Sequence, residues 1–172
     1  MSVLSREKIL ELIKKREIII EPFRKSQVGP ASVDLHLGNK FRLFSRTTEP
    51  FRIKESSDYR EITQLIEVEN NSSLLILPGE LVTGITLERV KIPNYICGRI
   101  EGRSRFARTG LLVHLSSGFI QPGSDSKIVL EIVNLSPIPL ALTPRTKVCQ
   151  IIFETLEGTA KYKGKFQYQK EP

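Results

Sequence analysis

The chain has 172 residues, 40% of them hydrophobic, enough apolar material for one substantial core and too short for two comfortable ones. Its 26 Lys and Arg against 19 Asp and Glu leave a formal charge of +7, which favours an anionic partner: nucleic acid, an anionic membrane or a small phosphorylated compound. The basic residues are scattered, no zinc-finger spacing occurs and Trp is absent, so nothing specifically supports a nucleic-acid surface; no apolar run approaches the roughly 20 residues of a membrane span.

The first stretch, MSVLSREKILELIKKREI, is too charged for a secretory signal, and the predicted location is the cytoplasm. Ser5 caps a predicted helix whose apolar positions Ile9, Leu12 and Ile13 recur at helical spacing. Lys14, Lys15 and Arg16 sit at its carboxyl end, where the macrodipole favours cations, and it is expected to stop near Arg16. EIIIEPF then reads as a short strand closed by Pro22. Residues 45–73 are polar and weakly patterned, and are expected to form a surface excursion within one domain.

Short strands separated by Pro and Gly follow: SLLILPGE, LVTGITLERVKIP, YICGRI, GLLVHL, KIVLEIVNL, PLALTP and KVCQIIFETL. Their number and spacing predict a mainly β fold, a distorted β-barrel or jelly-roll-like body with one short N-terminal helix. Residues 158–172 have lysines and aromatics without an internal hydrophobic pattern, and read as a mobile tail. Cys97 and Cys149 lie in apolar contexts and form no CxxC pair, which predicts two buried thiols.

In KIVLEIVNL, strand alternation puts Ile128, Leu130 and Ile132 on one face and Val129, Glu131 and Val133 on the other. A carboxylate between two valines loses hydration, which raises its pKa toward the range useful for moving protons; the alternative is an edge position where Glu131 pairs with an arginine. In GRSRFAR, the guanidinium groups of Arg103, Arg105 and Arg108 suit phosphate oxygens and Ser104 adds a hydroxyl beside Gly102, so the segment is either an anion cradle or a solvated basic hairpin. It is not a P-loop, and no GxGxxG follows a strand. His114, in LLVHL, reads as a hydrogen-bonded structural residue rather than a ligand. With His36 the only other histidine and the zinc deaminase signature missing, hydrolytic chemistry here would have to activate water with a carboxylate, and no metal ligands are predicted.

Five blocks in order, PASVDLHLG (30–38), LPGELVTGITLERVKIP (77–93), EGRSRFARTGLLVH (101–114), IVLEIVN (128–134) and YKGKFQYQ (162–169), make nearly the whole chain resemble the dCTP deaminase branch of the dCTP deaminase and dUTPase family. The resemblance implies a dUTPase-like (β-clip) distorted barrel assembled as a homotrimer, with active sites at subunit boundaries. It implies hydrolytic deamination of dCTP to dUTP and ammonia. Glu131 would be general base and proton shuttle, Arg108 would stand close to the base and its glutamate, and Arg103 and Ser104 would hold the triphosphate or line the reaction site. His114 would enter the pyrimidine pocket, and main-chain groups around Ser116, Ser117 and Ile120 would read the base edge. Tyr162, Lys165 and Gln169 would belong to a flexible tail, 158–172, that closes over the nucleotide. Mg2+ is implied as a companion of the substrate triphosphate, with neither nucleic acid nor membrane as partner.

The chain also departs from the family pattern. Gln121 stands in IQPGSDSK where an aspartate is usual, Arg105 replaces a second serine, and Phe166 replaces a tail tyrosine. In the dUTPase branch and in members that both deaminate and cleave, the aspartate serves sugar recognition and water activation for phosphate cleavage, so Gln121 argues against a dUTP diphosphatase or a bifunctional enzyme. A nucleotide-binding paralogue without turnover is the other alternative.

Overall fold

A computed structural model describes residues 2–69 and 71–172; Met1 and Asn70, which fall within the predicted domain and the predicted excursion, lie outside the described residues. In chain order the elements are α1 (Arg6–Lys14), β1 (Ile19–Glu21), β2 (Val33–Phe44), β3 (Thr63–Glu67), β4 (Leu74–Ile76), β5 (Leu81–Lys91) and β6 (Ile96–Gly102). They continue with α2 (Ser104–Ala107), β7 (Leu111–Val113), β8 (Phe119–Ile120), β9 (Asp125–Asn134), β10 (Leu140–Leu142) and β11 (Lys147–Thr155). Nine strands form one curled sheet in the order β7-β9-β5-β2-β11-β6-β8, with β1 added to β5 and β3 to β2. β4 and β10 form a separate pair, and every pairing is antiparallel. This is the mainly β, distorted-barrel architecture that the sequence predicts.

The sheet curls where register breaks. Between Leu37 and Phe41 the pairing of β2 with β5 slips, and a Cβ placed on Gly38 would meet the Ile85 carbonyl oxygen at 2.8 Å, so only glycine lets the strands approach there. The pairing of β5 with β9 slips between Ile85 and Arg89. There the Thr86 hydroxyl donates to the Glu88 carbonyl (2.7 Å) and accepts from the Ile128 N–H (2.9 Å), replacing the ladder bonds that the bulge removes. Glu88 is buried and compensated by three donors, Gln27 Nε2 (2.9 Å), the His36 N–H (2.8 Å) and the His36 ring.

α1 begins as predicted, with the Ser5 hydroxyl accepting from the Lys8 N–H, and buries Ile9 and Leu12. It stops two residues earlier than expected, and Arg16 already has a left-handed φ of 59°. Within the polar excursion, Thr63–Glu67 pairs with β2 as a strand. The sequence hid it because the strand is covered on so little of its surface that apolar alternation is muted. Cys97 and Cys149 are both buried and free, and burial raises both thiol pKa values, as the sequence predicts for inert core residues. Among the described residues no helix is long and apolar enough to cross a membrane.

Candidate active site

β9 carries the centre of the site. Ile128, Leu130 and Ile132 are buried in the core, each contributing about 1.5–3 kcal/mol, and this fixes the phase of the strand. The opposite face, with Val129 and Glu131, lines a cavity of about 830 Å3. Thr83 of β5 lies directly across from Glu131, and the segment 114–121 closes the other side with His114, Ser116, Ser117, Ile120 and Gln121. Aromatic walls come from Phe44, Tyr59, Phe119, Tyr162 and Phe166.

The Glu131 carboxylate is held at both oxygens. Oε2 accepts from the Ser116 N–H (2.8 Å) and hydroxyl (2.9 Å), and Oε1 accepts from the Ser117 hydroxyl (3.0 Å). Burial pushes its pKa up, as the sequence suggests, but the donors of Ser116 and Ser117 together pull harder the other way, and the carboxyl lies below its ordinary value of 4.5. The expected raised pKa is therefore overturned: hydrogen bonds to the charged form outweigh dehydration. The arginine pairing weighed as an alternative is also replaced by serines.

His114 differs from expectation too. It follows β7 with a left-handed φ of 67°, which turns the ring out of the strand and into the cavity wall, where neither ring nitrogen has a hydrogen-bond partner among the described residues. Its N–H donates to the Glu131 carbonyl at 2.7 Å, so the turn that aims the ring is pinned to the residue beneath it.

The predicted site residues divide into three groups. His114, Ser116, Ser117, Ile120, Gln121, Glu131, Tyr162 and Gln169 share the cavity. Arg103, Ser104, Arg105 and Arg108 do not line it. The GRSRFAR segment is neither a cradle around this cavity nor a hairpin, but a single helical turn, α2, with Ser104, Arg105 and Arg108 exposed. Arg103 Nη1 donates to the Lys147 carbonyl (3.3 Å) and Nε lies 3.5 Å from Asp34 Oδ1. Lys165 lines a neighbouring cavity of about 240 Å3, which shares Tyr59, Phe166 and Gln169 with the first.

The tail has neither helix nor strand but is seated by backbone bonds. Tyr162 N–H donates to the Pro122 carbonyl (2.8 Å), Tyr168 N–H to the Asp125 carbonyl (3.0 Å), and Lys127 N–H to the Gln169 carbonyl (3.0 Å). The partners are main-chain groups at and just before the start of β9, which no side-chain pattern encodes.

A profile of the dCTP deaminase-like family matches residues 3–156. This chain belongs to the dCTP deaminase-like family. Curated relatives carry the name "dCTP deaminase, dUMP-forming"; one from Coprothermobacter proteolyticus is 40% identical over 99% of this chain and 93% of its own length. Another, from Methanosphaera stadtmanae, is 39% identical over 91% of this chain and 80% of its own. Among solved structures, the 2'-deoxycytidine 5'-triphosphate deaminase of Agrobacterium tumefaciens superposes with a TM-score of 0.68 at 18% identity, covering 88% of this chain. This chain spans about half (47%) of that one, and the likeness concerns the fold.

In this member of the deaminase-like family, sequence reading missed Thr83, Ser124, Ser126 and Lys127 as cavity residues. Lys127 was legible, because it shares the period-two phase of Glu131 in KIVLE. Thr83 was not, since only strand register sets it across from Glu131.

Proposed function

We propose that this chain removes the C4 amino group of dCTP by hydrolysis, with Glu131 as base and proton shuttle. The observation that carries the reading is a single carboxylate among the described residues that line the cavity, held ionised by Ser116 and Ser117. A carboxylate oxygen has room for two hydrogen bonds, and Oε1 takes only the Ser117 hydroxyl, which leaves a position for water. As water oxygen bonds to C4, its proton passes to Glu131 and on to N3. The second proton then travels from the new hydroxyl through Glu131 to the amino nitrogen, the C4–N bond breaks, and ammonia leaves a C4 carbonyl.

The names of the relatives support dCTP as substrate. Magnesium would enter with the triphosphate: among the described residues no three His, Cys, Asp or Glu gather as a metal site, and the cavity's carboxylate is already engaged, a donor set that suits an ion held by phosphate and water oxygens. When bound, it would neutralise phosphate charge. Arg103, Ser104, Arg105 and Arg108 lie off their own chain's cavity, and in a homotrimer with its sites at subunit boundaries the basic turn would serve the adjoining protomer. Tail 158–172 would act as a flexible cover of one domain, with Lys165 and Gln169 on the phosphates.

The product reading follows from Gln121: an amide at this cavity position cannot ionise to activate water for phosphate cleavage, which favours release of dUTP. A second reading, formation of dUMP, is favoured by the names of the relatives. Incubation with dCTP and with dUTP, with and without Mg2+, separates them: dUTP and ammonia support the first, dUMP and pyrophosphate the second. Glu131→Gln should bind dCTP and release no ammonia; undiminished release would remove Glu131 as the base.

A further inference from the structure

Among the described residues, Lys127 is the one lysine or arginine lining the large cavity, as Glu131 is the one carboxylate. The two lie four residues apart on β9, about 13 Å along an extended strand. Lys127 is partly buried, and among the described residues it forms no ion pair. The nearest acidic candidate along the strand, Asp125, is already taken: Arg89 grips it with Nε to Oδ1 at 2.6 Å and Nη2 to Oδ2 at 2.7 Å. Arg89, across the ladder from Lys127, also donates through Nη1 to Glu21 at 2.9 Å. Lys127 is thus a cavity-lining cation that no carboxylate among the described residues engages, in a wall that mixes aromatic and aliphatic side chains with serines and amides.

We propose that Lys127 takes the phosphate chain of the bound nucleotide within its own protomer, so that one face of one strand supplies both the group that works on the base and the group that holds the anion. The assignment rests on the nucleotide reading above. Glu131 and Lys127 lie on the same cavity-facing side of β9, so a nucleotide with its base at Glu131 and its phosphates toward the start of the strand would bring the anion within reach of the flexible four-carbon stem of lysine. The Lys127 N–H also holds the Gln169 carbonyl, and Ser126 stands in the same wall, a hydroxyl donor beside the ammonium, whereas the Ser124 hydroxyl already donates to the Gln121 carbonyl and the Gln169 amide to Tyr59 and the Glu171 carbonyl.

The test uses the full chain carrying Glu131→Gln, so that ligand is not consumed, and measures binding of dCTP, dCMP and deoxycytidine by titration calorimetry. Adding Lys127→Gln should weaken dCTP about tenfold or more and leave deoxycytidine unchanged, Lys127→Arg should restore most of the loss, and the difference should shrink with added salt. Equal dCTP affinity with and without Lys127, an equal loss for deoxycytidine, or no dCTP binding in any variant would overturn the assignment. Ammonia release by the chain with Glu131 intact is read separately, so dCTP that binds through Lys127 without being deaminated would sink the proposed reaction and leave the phosphate contact standing.

Discussion

At the scale of single residues, Glu131 is governed by its donors more than by its burial. Three hydrogen bonds from Ser116 and Ser117 lower its pKa, so the carboxylate is ionised well into the acid range and its stabilising effect fades only as pH falls through that lowered value. Replacing both hydroxyls, Ser116→Ala with Ser117→Ala, leaves burial and one backbone donor, so the pKa should rise. The acid limb of the kcat/KM profile for ammonia release should then move to higher pH; an unmoved limb would show that the serines do not tune this group. Glu131 was legible in the sequence as a carboxylate between valines, but the sign of its pKa shift was not. That sign depends on hydroxyls 14 and 15 residues away, delivered by the turn at His114.

At the scale of elements, the basic turn and β7 are joined by Gly110, with φ of 83° and a would-be Cβ 2.7 Å from the Ser136 backbone nitrogen. Gly110→Ala combines a disfavoured backbone with a clash against main chain, and is expected to destabilise the fold by about 1–3 kcal/mol, read as a lower urea midpoint. Unchanged stability would mean that the main chain at Ser136, or the turn ending at Gly110, yields more easily than its packing suggests. The strands were legible from their alternation and their Pro and Gly boundaries, whereas β3 was not, because a strand with most of its surface in water has no apolar phase to read.

At the scale of the whole molecule, the cavity and the basic turn lie apart within one chain. If the turn serves an adjoining protomer, two individually inactive variants should complement each other. Mixing Glu131→Gln with Arg108→Ala subunits after dissociation and reassembly should restore part of the ammonia release, because some boundaries then pair an intact Glu131 with an intact Arg108. A mixture as inactive as its components, with mixed assembly verified by mass, would confine the turn to its own chain or remove it from the reaction.

The sequence by itself determined the β-rich class, the start of α1, the two buried cysteines and the face of β9 that carries Glu131, because each depends on local periodicity or on the chemistry of one side chain. Only the tertiary structure decided which donors surround that carboxylate, that Arg89 takes Asp125 and leaves Lys127 without an ion-pair partner among the described residues, and that the arginines of the turn stay out of the cavity. Those outcomes depend on strand register, a bulge and a left-handed turn, which bring together residues far apart in the chain.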